Sequence, residues 1–424
     1  MTTTKVYSER LKESYERIEH KSGLTIMLYP MKEFKTTYAL FTAGVGSINN
    51  AFTLEGETFH VPDGIAHFLE HKLFESEEGD AFELYSKIGV SANAYTSFDK
   101  TAYLFSCTEN FDKALEILIS LVTHPYFTPQ TVKKEQGIIG QEIKMYEDDP
   151  GWRVYFNLLG SLYHNNPIKL DIAGTVASIS EITDKTLYSC HKAFYNLKNM
   201  VLTVAGNFEG EEVLAICDRL LKYDSSEKIT IPHVDEPLEI VKPYSYEKLS
   251  VAEPLFQLGF KGRDGGLPQN ILAQTTGEIL SEIISGEASP LYRRLYDEGL
   301  INNSFDSEIM AGPSYLVTMF SGESENPKKV AEMLLEEIKK LQENGIPLED
   351  FVRAKKCCYG RYVDIFESVE SVASVLAQCH LAQCEAYGLL DNLANLELKD
   401  AEAYLKENMD ITKSALSVIG HEEC

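Results

Sequence analysis

The sequence predicts an α+β fold of two similar domains, each a mainly antiparallel sheet packed against helices, joined by a linker. Three observations lead there. Strand-like and helix-like segments come in groups rather than in strict alternation, which separates the pattern from parallel α/β folds. The order of segments in the first half returns in the second. Between the halves runs a stretch rich in charge and Pro without helical periodicity. The boundaries that follow are residues 1–225 for the first domain, 226–246 for the linker and 247–424 for the second domain.

In the first half, Gly23–Tyr29 and Thr36–Gly44 are apolar and β-branched enough to be strands, and a helical segment containing His67 follows. A second helical stretch ends at Tyr85-Ser-Lys-Ile-Gly89. Ser91–Thr96 and Thr101–Ser106 are strand-like, and helices are expected at about 111–123, 129–147 and 151–163. The second half repeats this order with a strand near Leu255–Phe260, a helix near 268–284, the segment Leu291–Gly299, a strand near Tyr315–Phe320, a helix at Lys328–Asn344 and another from near Pro347.

The chain has 424 residues, 44% hydrophobic and 25% charged, enough to bury substantial cores. The N-terminal stretch has no apolar run and mixes acids with bases, so it reads as neither a secretory signal nor a transit peptide. No window approaches 18 uninterrupted apolar residues. A formal charge of -26 repels phosphate backbones and anionic lipid, which argues against nucleic-acid and membrane partners and is compatible with cationic peptides. The eight Cys are scattered, with no metal-clip spacing, and suit a reducing cytoplasm.

The feature that points to chemistry is His67-Phe-Leu-Glu70-His71, an H-x-x-E-H pentad, the inverse of the H-E-x-x-H zinc-protease signature. On a helical wheel Ile65, Phe68, Leu69 and Leu73 share one face, while His67, Glu70 and His71 share the opposite one. Two imidazoles at i and i+4 can reach one metal ion, and a carboxylate at i+3 lies beside them, able to hold a metal-bound water. The bland alternative is a solvated helix face. Against it stands the segment Thr131–Tyr146, where Val132, Ile138, Ile139, Ile143 and Met145 form an apolar stripe with Glu135 and Glu142 in its middle. Acids on a buried face need a metal, a basic partner or a donor network to offset desolvation. Thr128 and Pro129 mark the helix start.

These elements resemble the inverzincin peptidases of the pitrilysin, insulysin and mitochondrial processing peptidase family. The matching stretches are Gly64-Ile-Ala-His67-Phe-Leu-Glu70-His71, Asn93-Ala-Tyr-Thr-Ser97 and Glu135-Gln-Gly-Ile-Ile-Gly-Gln-Glu142-Ile, followed by Ile172-Ala-Gly-Thr175, Ile179-Ser-Glu-Ile182 and Tyr195-Asn-Leu-Lys-Asn-Met200. The likeness is closest to the short bacterial type, whose subunits pair to enclose a clam-shell chamber. It implies one Zn2+ per chain held by His67, His71 and Glu142, with Glu70 as general base activating a zinc-bound water and Glu135 orienting a ligand histidine. It also implies that Asn93 and Ala94 lie on the edge strand to which a peptide substrate adds.

The second half departs from this pattern. Leu272–Leu280 contains no His, and the counterpart of Glu142 falls near Arg361, so only the first half can be catalytic. The Arg and Tyr with which the family clamps the substrate carbonyl align with Tyr296 and Asn303. Nearby Arg293 and Arg294 read better as a solvated helix face than as substitutes. The expectation is a cytoplasmic zinc metalloendopeptidase acting on small unfolded peptides, paired with a paralogous subunit that supplies the Arg and Tyr rather than with a second copy of itself. The alternative is a non-catalytic assembly subunit. His191, His380 and Trp152 read as structural.

Overall fold

The computed structural model describes residues 1–54, 56–77, 79–223 and 229–421. It contains two compact α+β units, each built on one sheet. The first comprises Met1–Ile143, Leu170–His233 and Val363–Tyr387; the second comprises Lys144–Lys169, Val234–Tyr362 and Gly388–Cys424.

The first unit's sheet has seven strands in the order Thr2–Tyr7, Ser14–Glu19, Thr25–Pro30, Met200–Gly206, Thr37–Ala43, Thr101–Cys107 and Ser91–Thr96. All neighbours are antiparallel except Thr25–Pro30 with Met200–Gly206. Thr37–Ala43 and Met200–Gly206 are buried at every position, so both faces of the sheet centre are covered. The second sheet runs Tyr244–Lys248, Ser414–Gly420, Leu255–Lys261, Tyr315–Glu323 and Asp306–Gly312, with only the first pair parallel. Its order and strand directions repeat those of the last five strands of the first sheet. The repeat legible in the sequence is therefore a repeat of topology.

Most elements fall where periodicity places them, among them the helices Phe111–Thr123, Pro129–Glu147, Pro150–Leu162, Gln269–Ser285, Pro290–Asp297, Pro327–Asn344 and Leu348–Asp364. The division into contiguous halves needs correcting, because each unit takes a helix from the other half of the sequence. Pro150–Leu162 packs on Leu255–Lys261 and Ser414–Gly420. Arg153 and Asn157 on that helix hold Glu247 at 3.0 and 2.6 Å. Gly259 makes the close approach possible, since a Cβ there would lie 2.8 Å from the Leu158 side chain. Reciprocally, Val369–Leu381 packs on Met200–Gly206 and Thr37–Ala43, and Thr203 Oγ1 donates to the Ala373 carbonyl at 3.0 Å.

The expected linker 226–246 is amended too. Residues 226–228 lie outside the described ones. The rest is pinned to the two units: Thr230 bridges Thr53, and the strand Tyr244–Lys248 begins inside the stretch. Glu236 accepts from the backbone N–H groups of His164, Asn165 and Asn166 and pairs with the buried Lys261. Seven Cys are described and all are free thiols, while Cys424 lies outside the described residues. Among the described residues no helix is long and apolar enough to cross a membrane.

Candidate metal centre

The pentad lies on the helix Ile65–Leu73, here the motif helix, which packs against Ser91–Thr96 and Thr101–Cys107. Ile65, Phe68, Leu69 and Leu73 are buried, as the wheel requires. Its start is fixed by a backbone crossing. Gly64 adopts φ +88°, and a Cβ there would lie 2.3 Å from the Ala173 carbonyl oxygen. Ser178 Oγ donates to the Asp63 carbonyl at 2.8 Å, and Thr175 caps the short helix behind it. The stretch Ile172–Thr175 thus serves to seat the motif helix.

The second acidic helix, Pro129–Glu147, opens with Thr128 accepting from the Thr131 N–H. Gln136 anchors it by donating to the carbonyls of Ile179, Ser180 and Ile182 at 3.0 to 3.2 Å. Its apolar stripe is narrower than expected. Val132, Ile139 and Ile143 are buried, but Ile138 and Met145 are 47% and 61% exposed. Glu135 and Glu142 lie beside the buried residues and turn towards the motif helix.

There the predicted residues converge. Ligand atoms of His67, His71 and Glu142 all lie within 4.8 Å of one another. Among the described residues no other trio of His, Cys, Asp or Glu side chains comes close enough to hold a metal ion. His67 Nε2 is 3.7 Å from Glu142 Oε1, and His71 Nε2 is 3.4 Å from Glu142 Oε2. Two ligands of a tetrahedral zinc ion, each about 2.1 Å from it, sit about 3.4 Å apart, so the cluster has the dimensions of such a site. Its donors, two imidazoles and a carboxylate, suit zinc. His71 Nδ1 bonds Glu135 Oε1 at 3.1 Å, which leaves His71 Nε2 facing Glu142 as an acceptor. His67 Nδ1 is buried without a hydrogen-bond partner among the described residues, so burial rather than a neighbour fixes that ring.

The electrostatics differ between the two rings. Burial, reinforced by the neighbouring His71, pushes His67 below the usual imidazole range and keeps it neutral, the form that ligates. Burial lowers His71 as well, but its hydrogen bond to Glu135 and the surrounding carboxylates outweigh it and hold this ring above its ordinary value. Glu135 is the converse: burial raises its carboxyl, and His71 more than compensates, leaving it below the usual range. Glu70 is raised by burial, with His71 and a hydrogen bond from Thr96 opposing the shift. A carboxylate raised in this way is a better proton acceptor near neutrality.

Thr96 is the site residue that sequence reasoning missed. Its Oγ1 donates to Glu70 Oε2 at 3.0 Å. Asn93 and Ala94 lie three and two residues upstream on the same edge strand, Asn93 exposed and Ala94 half-buried. Lys72, fully buried beside His71 and paired with Glu75, also passed unnoticed. His191 reads as structural, half-buried with Nε2 on the Val122 carbonyl, and Trp152 stacks on Tyr146.

The second unit shows what became of the repeated position. The helix Gln269–Ser285 follows its strand as the motif helix follows Thr37–Ala43, but it carries Glu278 and Glu282 and no His. Arg361 on Leu348–Asp364 pairs with Glu282, and its Nη2 lies 3.2 Å from Cys357 Sγ, beside a cavity of about 530 Å³. A guanidinium thus supplies internally the positive charge that an ion would bring. Arg293, Arg294 and Tyr296 on Pro290–Asp297 are exposed.

Known proteins agree with both halves. Residues 57–176 match the family described as insulinase (peptidase family M16), and residues 181–357 match the peptidase M16 inactive domain. The chain is 36% identical to the uncharacterized zinc protease YmfH of Bacillus subtilis, over 95% of each chain. It is 28% identical to a probable mitochondrial-processing peptidase subunit beta of Arabidopsis thaliana, over 40% of this chain and 33% of the relative. The crystal structure of a putative M16-like peptidase from Alicyclobacillus acidocaldarius superposes with a TM-score of 0.93 at 32% identity, covering 96% of this chain and 97% of that one. Likeness across nearly the full length, together with the zinc-protease motif on its helix, establishes that the chain belongs to peptidase family M16.

Proposed function

We propose that the chain is a zinc metalloendopeptidase that hydrolyses or processes small unfolded peptides. The observation that carries this reading is the convergence of His67, His71 and Glu142 at metal-ligand spacing, with the half-buried Glu70 on the same helix. The name zinc protease borne by relatives supports it. When bound, a zinc ion at these three residues supplies Lewis acidity, polarising the scissile carbonyl and acidifying water. Glu135 keeps His71 in the tautomer that ligates through Nε2. Glu70 accepts the proton of the attacking water and delivers it to the leaving amine.

The strand Ser91–Thr96 ends its sheet, and an extended peptide adds to its open edge through main-chain hydrogen bonds that are largely blind to sequence. The Ala94 N–H donates to Asn93 Oδ1 at 2.9 Å, so Asn93 covers this donor until a substrate carbonyl replaces it. The net charge of -26 favours cationic peptides. The Arg and Tyr of the carbonyl clamp come from a paralogous subunit that lacks the zinc motif and closes the chamber, as the presence of Tyr296 and Asn303 at the aligned positions suggests. The word subunit in the name of the Arabidopsis relative accords with such pairing. The complex works in the cytoplasm, where the free thiols stay reduced.

The test is cleavage of quenched peptides by the zinc-loaded chain, alone and with co-expressed paralogues. Chelator-sensitive cleavage is expected from the pair. A chain that retains zinc but cleaves no peptide with any paralogue overturns the reading.

A further inference from the structure

We propose that Thr96 is a positioning residue for the general base, and that through it the strand which receives the substrate also aims Glu70. The inference deepens the peptidase reading and rests on it. Along Ser91–Thr96 exposure alternates, so Ala92, Ala94 and Thr96 share the less exposed face while Ser91, Asn93 and Tyr95 share the more exposed one. Thr96 is therefore in register with Ala94, the residue proposed to meet the peptide backbone. Its Oγ1 donates to Glu70 Oε2 at 3.0 Å, and Glu70 makes no other hydrogen bond among the described residues.

A carboxylate at the end of a three-bond side chain, with one tether, has its second oxygen aimed by that tether. Thr suits the task because its β-branched side chain has few rotamers, so the hydroxyl is held in place before the acid arrives. The strand itself is held in turn: Thr96 pairs with Thr101, the buried Thr101 hydroxyl donates to the Val45 carbonyl at 2.8 Å, and the Ser97 N–H donates to the Lys100 carbonyl at 2.8 Å. The aim of Glu70 is thereby referred to the rigid hairpin of the sheet rather than to its own helix alone. A small misplacement of a catalytic group costs rate far more than binding.

Thr96→Val keeps the shape and removes the hydroxyl, Thr96→Ser keeps the hydroxyl and removes the methyl, and Thr96→Ala covers a Val variant that does not fold. Each is assayed in the zinc-loaded, partner-complexed enzyme and crystallised as the chain alone. The expectation for Val and Ala is kcat about tenfold lower with KM within about twofold of wild type, restored by Ser, with zinc content unchanged. In crystals of wild type and of Thr96→Ser, Glu70 should rest on the hydroxyl at position 96 in one conformer, and it should leave that place in Thr96→Val and Thr96→Ala. Wild-type kcat in Thr96→Val and Thr96→Ala, or an unmoved Glu70 in the crystal of either, overturns the proposal. Failure of the wild-type complex to cleave any peptide overturns instead the reading beneath it.

Discussion

Removing the carboxylate of Glu135 tests how far metal affinity depends on a residue that does not itself ligate. Glu135 Oε1 accepts from His71 Nδ1 at 3.1 Å, with the Glu135 and His71 side chains 13% and 25% exposed, so solvent screens the contact little. A hydrogen bond to a charged acceptor contributes about 1.5–3 kcal/mol, more than a neutral one. Glu135→Ala forfeits it and frees His71 to adopt the tautomer with its Nε2 protonated, which cannot ligate. The expected loss is about 10- to 100-fold in zinc affinity, or about 1.4–2.7 kcal/mol. Glu135→Gln retains an acceptor oxygen without the charge and should fall between Ala and wild type. Competition with a chromophoric chelator at neutral pH measures all three. A zinc affinity in Glu135→Ala within about twofold of wild type would refute the reasoning, since the tautomer would then be set elsewhere.

Other consequences follow from the same contacts. Glu70→Gln should retain zinc and lose about 10²- to 10⁴-fold in peptide turnover, measured with a quenched peptide and by metal analysis of the same sample. Gly64→Ala should lower the melting temperature and the zinc content together, because a left-handed φ costs a residue with a Cβ about 1–2 kcal/mol and the Ala173 carbonyl blocks the added atom. Glu236→Gln should destabilise the protein in urea by about 3 kcal/mol, near the low end for a broken buried pair, because Lys261 still reaches the carbonyls of Pro237 and Glu239. Burial pushes the Glu236 carboxyl up, but Lys261 and three backbone N–H donors outweigh it and hold the group below its usual range. Its stabilising contribution is complete above the ordinary glutamate pKa and is lost as pH falls through the lower folded value, so wild type and variant should begin to draw together below the ordinary value and coincide only beneath the folded one.

The candidate metal centre was legible because its geometry is local. Residues four apart on one helix must face the same way, and two acids on the buried side of another helix must meet a cation or a donor. Period alone does not decide which sheet each amphipathic helix covers. The apolar faces of Pro150–Leu162 and Val369–Leu381 are plain, yet nothing in their period reveals that each packs on the sheet built mainly from the other half. Ile138 and Met145 misled because apolar side chains at the margin of a stripe stay exposed at little cost. The strands Thr2–Tyr7 and Ser14–Glu19 escaped notice because the first buries no side chain and half the residues of the second are charged, so neither shows a clean period of two. Thr96 could have been found: the period of two places it on the face of Ala94, within reach of a helix expected to pack there.

His67, His71 and Glu142 are the residues that would hold one ion among them. Elemental analysis of wild type and Glu142→Ala, each loaded with zinc and dialysed against metal-free buffer, tests this most directly. The prediction is one zinc per wild-type chain and almost none in a variant that melts like the apo wild type. A wild-type chain that holds no zinc, or a Glu142→Ala chain that holds as much as wild type, would contradict it.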